Sequence, residues 1–466
     1  MKNFTIYSAS CVAILIASLQ SVKTAPVNDD KTSDLKFVVI GAGVSGIASA
    51  KHLLAQGYNV TIYEQSEDIG GTWFYTNQTG KNQYGIKVHS AMYRGLSANL
   101  PRKIMHYKDF DYQNITEHFT RPSQAEVFEY IQSYVDHFDI RKHVKLNHLV
   151  VRVHPIEKGQ WEVIVKNLPN GTFHTLIYDY VFVCNGKYSS PHYPSISGME
   201  EFKGKMLHSH DYRDAEAFRN ESVLIIGNGA SAMDIFDQLE DVASRLTISN
   251  KRKHYITMGD RYKRDVKSKI NFQHEVVRLN STAAEFIDGS NVTFSVIIFA
   301  TGYNYSFPML SVDTGIHVED NSVSPLFKQI FNIEHPTMVF IGIVSETISF
   351  ITYDFQVQFA MKFITGEKKL PSKVEMYKEE QTQLKILYDC KEYTKRHTHN
   401  LQLPELYVYF KELSEMAEIN NYPGNYIEMY FEEFKRWNTT SYYATCNELN
   451  NTTLDVRKDK VMDMLN

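Results

Sequence analysis

The residues Leu35 to Ile40 form a compact apolar run that ends in Gly41-Ala42-Gly43-Val44-Ser45-Gly46. Small and apolar residues then recur with helical spacing to about Gln56, where Gly57 stops the pattern. Asn59 to Tyr63 follows as a short strand that runs into Glu64. The same order returns later in the chain. Val223 to Ile226 is apolar, Gly227-Asn228-Gly229-Ala230-Ser231-Ala232 follows, a helix is predicted to about Leu239, and a strand lies near Leu246 to Ser249. Strand, glycine turn, helix and strand make up the βαβ unit of a doubly wound sheet. Phe182 to Tyr193 breaks into a loop with Gly186 and Pro191, and the strand-like run Phe294 to Ala300 ends in Thr301-Gly302-Tyr303. The pattern predicts an α/β fold with two Rossmann-like dinucleotide-binding domains. The second, residues 201–303, is inserted in a larger first domain made of residues 26–200 and 304–466. Aromatic-rich helices from Phe355 onward are expected to cap the cleft, with their apolar stripes in the core.

The two glycine turns differ in charge. Gly41 allows the tight turn, Gly43 lets backbone N–H groups approach a pyrophosphate, and Gly46 lets helix and strand pack closely. The N-terminus of the following helix adds the positive end of its dipole. Glu64 stands where a carboxylate accepts hydrogen bonds from ribose hydroxyls and repels a 2′-phosphate, so this site suits FAD or NAD. In the second unit, Gly227, Gly229 and Ser231 form the turn, Ala232 takes the third glycine position, and Asp234 follows on the helix. Its second strand runs into Asn250-Lys251-Arg252-Lys253, three cations where an acid is expected, which favours the 2′-phosphate of NADPH. A bare structural turn with an exposed Glu, and a solvated basic turn, are the alternatives.

Composition narrows the class. The net charge of −5 is spread over interspersed residues of both signs, with no basic stripe for nucleic acid. The start, with Lys2 and the apolar stretch Ile6 to Leu19, reads as a secretory signal over residues 1–25, so a secreted, extracellular protein without a membrane anchor is expected. Sequons at Asn77, Asn114, Asn170, Asn220, Asn280, Asn291, Asn304, Asn438, Asn450 and Asn451 agree with that route. Asn59 also heads a sequon and is expected to be bare in a buried strand. Cys184 lies in an apolar strand as a small hydrophobe, which leaves Cys390 and Cys446 as the better disulfide pair. A thiol–disulfide reductase needs a redox-active Cys-x-x-Cys, and the chain has none. O2 remains as the acceptor for electrons passed from NADPH to flavin. A homo-oligomer is left open.

The segment Phe202-Lys203-Gly204-Lys205-Met206-Leu207-His208-Ser209-His210-Asp211-Tyr212 resembles the FxGxxxHxxx(Y/F) signature of flavin-containing monooxygenases. Gly70-Gly71-Thr72-Trp73 resembles that family's flavin-contacting loop, Leu96-Ser97-Ala98-Asn99-Leu100-Pro101 the segment with its active-site Asn, and Ala300-Thr301-Gly302-Tyr303 its ATGY motif. The resemblance implies FAD and NADPH as cofactors, and transfer of one oxygen of O2 through a flavin C4a-hydroperoxide to a soft nucleophile, a small amine or sulfide. It implies Asn99 as the catalytic residue. It also implies cofactor contacts at Gly71, Thr72, Trp73, Ala98, Leu100, Thr301 and Gly302, and a docking role for His208 beside NADP. No metal is implied. The signal and soluble tail look like the secreted insect branch, which includes alkaloid N-oxygenases acting on tertiary amines. A Baeyer–Villiger ketone oxygenase, which usually carries Trp where Tyr212 stands, and a secreted flavin-binding protein without catalysis are the rival readings.

Overall fold

The computed structural model describes residues 34–112, 120–251, 270–389, 394–401, 403–420 and 422–436. The signal segment, Arg252, Cys390, Cys446 and the sequons at Asn114, Asn438, Asn450 and Asn451 lie outside the described residues.

Along the chain, the strands of the two large sheets are β1 (Lys36–Ile40), β2 (Asn59–Tyr63), β3 (Val144–Lys145), β4 (Tyr180–Val183), β5 (Lys205–His208) and β6 (Ser222–Ile226). They continue with β7 (Arg245–Ser249), β8 (Ile270–Gln273), β9 (Val296–Phe299), β10 (Leu326–Phe327), β11 (Phe331–Asn332) and β12 (Met338–Phe340). The helices are α1 (Val44–Ala55), α2 (Gln124–His137), α3 (Ala230–Leu239), α4 (Ser349–Ile364), α5 (Lys373–Tyr388), α6 (Leu403–Ala417) and α7 (Gly424–Arg436).

The first sheet has the order β10-β11-β12-β4-β1-β2-β3, and the second the order β8-β7-β6-β9-β5. The segment between residues 205 and 299 therefore builds its own sheet, and the chain then returns to the first one.

The parallel strands of both sheets are covered on two faces, which is why they read as continuous apolar runs, and the first sheet ends in the antiparallel strands β10 and β11. In β1 and β4, Phe37, Val39 and Phe182 point into a core shared with α1, α2, α4 and α6. Val38, Ile40, Val181 and Val183 point the other way. There they meet a three-stranded antiparallel sheet, His148–Pro155, Trp161–Asn167 and Phe173–Tyr178. Phe37, Val38, Val39, Ile47 and Leu53 are fully buried, and each such side chain contributes about 1.5–3 kcal/mol.

The second sheet repeats this plan. Val223, Ile225, Leu246, Ile248 and Ile298 pack against α3. Leu224, Ile297 and Phe299 face a small antiparallel sheet of Val276–Leu279, Ala283–Phe286 and Asn291–Thr293. The duplication seen in the glycine turns thus extends to whole three-layer units.

The aromatic residues of the C-terminal helices belong to the core: Phe355, Phe359, Phe410 and Leu413 are buried in the cluster under the first sheet. Helix α4 is tied to α1 by the His52 Nε2 to Asp354 Oδ1 contact of 2.6 Å. Cys184 is a buried free cysteine, as its apolar surroundings suggested. Asn59 differs from expectation. It opens β2, as its place in the sequence predicts, but its side chain is exposed while Val60 and Ile62 are buried.

Candidate functional site

The two glycine turns are built alike. In the first, the Gly41 N–H donates to the Tyr63 carbonyl at 2.8 Å, and in the second the Gly227 N–H donates to the Ser249 carbonyl at 3.0 Å. Gly41 has φ +102° and Gly227 φ +129°, a region that costs a side chain dearly. Space excludes one as well. A Cβ on Gly41 would stand 2.5 Å from the Cys184 carbonyl oxygen, and one on Gly227 would stand 2.2 Å from that of Ala300. Each carbonyl belongs to the residue just beyond the parallel strand beside the turn, β4 in one case and β9 in the other. Thr301 and Gly302 therefore lie directly after a contact of the second turn.

Gly43 and Gly229 are the N-caps of α1 and α3, both extended and both without a side-chain capping bond. The first backbone N–H groups of each helix are thus left to an anionic ligand. The third positions differ. A Cβ on Gly46 would reach to 1.9 Å from the Gly41 carbonyl oxygen, whereas Ala232 carries one in a fully buried place.

Glu64 is 5% exposed, and both its oxygens are oriented by backbone donors: Ala42 N–H to Oε2 and Ser66 N–H to Oε1, each 2.8 Å. Each carboxylate oxygen can accept a further bond, which suits ribose hydroxyls. Beside it lies an open pocket of about 70 Å³, lined in part by Gln65, Ser66, Tyr84, Lys87, His89 and Asn147. In the second unit the residue after the strand is the neutral Asn250, and the exposed Lys251 pairs with Glu275 at 2.9 Å.

The loop Gly70–Trp73 lies against the first turn, since the Gly70 N–H donates to the Ala42 carbonyl at 3.0 Å. A Cβ on Gly71 would come within 2.8 Å of Gly43 Cα. The hydroxyl of Thr72 is buried without a partner among the described residues, a polar atom that suits a ligand. Trp73 is half-buried, and its carbonyl accepts from Gln124 Nε2. Gln124 opens α2, which is capped by Ser123 and Glu126 in a reciprocal capping box.

The Asn99 segment is pinned to this helix start. The Ala98 N–H donates to the Pro122 carbonyl at 2.8 Å, and the Gln124 N–H to the Leu96 carbonyl at 3.0 Å. Ala98 is buried, Leu100 is half-buried against the first core, and the Asn99 side chain is exposed between them. Upstream, Tyr93 and Leu96 pack into the core of the second unit. The Arg94 N–H donates to the Arg213 carbonyl at 2.9 Å, and the Arg213 guanidinium donates to the carbonyls of Ser90 and Gln78. The segment bearing Asn99 therefore touches both dinucleotide units.

His208 and Asp234 both turn to protein partners at the junction. His208 is fully buried between the rings of Tyr193 and Tyr303, at centroid distances of 5.4 and 5.2 Å. Its Nδ1 accepts the His210 N–H at 3.1 Å, and burial lowers its pKa to about 4. It is a neutral support for the domain junction and has no surface to offer a nucleotide. Asp234 turns its carboxylate toward Tyr93 and Gln238 rather than toward the glycine turn. Those two neighbours and the Arg213 clamp were missed by sequence reasoning, with the position of Tyr212 in its motif as the one available signal, whereas Thr72 was among the expected cofactor contacts.

Two glycine-turn units of this geometry, joined by one bridging segment, define a two-dinucleotide α/β protein. A family model described as FMO-like, flavin-binding monooxygenase-like, matches residues 34–259 and 250–452. The chain is 33% identical to senecionine N-oxygenase of Tyria jacobaeae over 403 residues, covering 86% of each chain. It is 31% identical to flavin-containing monooxygenase FMO GS-OX-like 4 of Arabidopsis thaliana over 87% of this chain and 90% of the relative. Among solved structures, S-allyl-L-cysteine S-oxygenase from Allium sativum superposes with a TM-score of 0.79 at 29% identity, covering 92% of this chain and 98% of the other. The chain belongs to the flavin-binding monooxygenase-like family. Members of this family use FAD and NADPH.

Proposed function

We propose that the protein is an NADPH-dependent monooxygenase that places one oxygen atom of O2 on the nitrogen or sulfur of a small soft nucleophile, with a tertiary amine as the leading substrate class. The observation that carries this reading is the Asn99 segment, packed on the FAD-side helix start through Ala98 and on the NADPH-side core through Tyr93. Likeness to an N-oxygenase and to an S-oxygenase supports the substrate class.

In this reading Gly41, Gly43 and Gly46, with the N–H groups of Val44 and Ser45, receive the FAD pyrophosphate, and Glu64 accepts from its ribose. The α3 start with Gly229 and Ser231 receives the NADPH pyrophosphate, and Lys251 with Arg252 receives the 2′-phosphate. Bound FAD, once reduced by NADPH, supplies the activation of O2. The chain orients both nucleotides and keeps water out of the junction with buried groups such as Tyr93 and Ala98. Asn99 contributes an amide that both donates and accepts a hydrogen bond yet carries no titratable proton, so it can hold a polar reactant without protonating it.

The signal segment and the sequons support a secreted glycoprotein as part of the same proposal. No helix among the described residues is long and apolar enough to cross a membrane. The experiment is product analysis with purified protein, NADPH and O2, offering a tertiary amine, a thioether and a cyclic ketone. An N-oxide or sulfoxide is expected. A lactone as sole product would establish the Baeyer–Villiger alternative.

A further inference from the structure

Tyr93 lies six residues before Asn99 and is 4% exposed. Its hydroxyl faces the carboxylate of Asp234 on α3. Asp234 Oδ2 accepts from Gln238 Nε2 at 3.2 Å, one helical turn further on, and Gln238 Oε1 accepts from the Tyr212 hydroxyl at 3.0 Å. The rings of Tyr93 and Tyr212 meet edge to face at 5.1 Å. The turn after Tyr93 rests on the same amide, since a Cβ on Gly95 would stand 3.5 Å from Gln238 Nε2.

The polarity of this chain is fixed from Tyr212 to Asp234. Tyr212 donates to the amide oxygen, the amide nitrogen donates to the carboxylate, and the Tyr93 hydroxyl stands beside the same carboxylate. The carboxylate is half-buried, and its neighbours come from its own helix, through Gln238, and from the loop, through Tyr93. Asp234 and Gln238 sit on the helix whose N-terminus forms the second glycine turn, and Tyr93 sits on the segment that carries Asn99.

We propose that the chain Tyr212–Gln238–Asp234–Tyr93 positions the Asn99 segment relative to α3, so that Tyr93 and Asp234 are positioning residues for oxygen transfer. The catalytic part of this statement rests on the monooxygenase reading; the mechanical part does not. Loss of the Tyr93 hydroxyl leaves the aromatic packing in place and removes one polar tie between the loop and the helix.

The test is a double-variant cycle of Tyr93→Phe, Asp234→Asn and the two combined. Amide hydrogen exchange over residues 91–100 is read by mass spectrometry, together with the fraction of oxidised NADPH that ends as hydrogen peroxide instead of product. Loss of the hydroxyl beside the carboxylate is expected to speed exchange in this segment by about tenfold. The peroxide fraction should rise severalfold while KM for NADPH stays within about twofold, because the phosphate contacts are untouched. The combined variant should be no worse than the more affected single one. Exchange unchanged in Tyr93→Phe, or effects that simply add, would overturn the proposal, and Tyr93→Phe decides the matter if Asp234→Asn does not fold. A wild-type protein that never oxidises NADPH removes the monooxygenase reading, and the exchange data still decide whether the chain of side chains holds the loop.

Discussion

A Cβ placed on Gly43 would stand 3.3 Å from the Cα of Gly71. The turn before α1 and the loop before Trp73 thus approach backbone to backbone, and a larger side chain at Gly43 would both part them and fill the path of a pyrophosphate. Gly43→Leu is expected to yield folded protein without flavin, read from the visible absorbance of the purified variant. A wild-type flavin spectrum in that variant would place the FAD pyrophosphate elsewhere.

The Lys251–Glu275 pair sets up competition for the 2′-phosphate. The pair is exposed on the lysine side, so its own contribution to stability is at most about 1 kcal/mol. Glu275→Gln should free Lys251 and lower KM for NADPH, with little change for NADH. Lys251→Ala combined with Arg252→Ala should erase the preference for NADPH, since a hydrogen bond to a charged group contributes roughly 1.5–3 kcal/mol. Steady-state kinetics with the two nucleotides measures both effects, and an unchanged preference in the double variant contradicts the assignment.

Asn99→Leu is expected to retain flavin and to bind NADPH normally, because Asn99 is exposed between the fixed residues Ala98 and Leu100. Its oxidation of NADPH should yield hydrogen peroxide in place of product. Full coupling of NADPH to product in this variant would remove Asn99 from the chemistry.

Acid should weaken the fold through two buried histidines. The Val323 N–H donates to His399 Nε2 at 2.8 Å, which fixes the neutral ring, and burial lowers its pKa to about 3. His208 behaves likewise, with burial lowering its pKa to about 4. A folded-state pKa below the unfolded value of 6.5 means the unfolded chain binds more protons in between, so stability is complete above pH 6.5 and falls as pH drops from there toward 3. For His399 the loss is at most about 1.4 kcal/mol per pH unit in this window. Denaturant midpoints measured across the window should slope less in His399→Gln, whose amide oxygen can accept the Val323 N–H.

Sequon use offers a separate check on the proposed route. Asn59, Asn77, Asn170, Asn220 and Asn291 are exposed, whereas Asn304 Oδ1 accepts from Arg396 at 3.0 Å and Asn280 Oδ1 caps its own turn. Glycopeptide mass spectrometry of protein secreted from a eukaryotic host should find glycan on the exposed group before Asn280 or Asn304. Protein that stays inside the cell without glycan would contradict secretion.

Much of the fold was legible because both glycine turns follow strands buried on two faces, which leaves unbroken apolar runs such as Phe37 to Ile40 and Val223 to Ile225. Glu64 and Asn250 could be compared directly because they end equivalent strands. The antiparallel layers were not legible: Phe173 to Ile177 is an exposed edge whose residues do not alternate cleanly. Nor could sequence spacing show that Tyr93 meets Asp234, 141 positions later, since that contact depends on how the second unit docks. The burial of His208 was hidden for the same reason. Its motif position says that it matters, and only packing says that it is buried.

The most direct test of the central claim, that the two units present one cofactor to the other, is the flavin absorbance of the purified, FAD-loaded protein after anaerobic addition of one equivalent of NADPH. Rapid bleaching of the oxidised flavin with NADPH, and much slower bleaching with NADH, is expected. A flavin that stays oxidised with NADPH while the nucleotide binds would contradict the account.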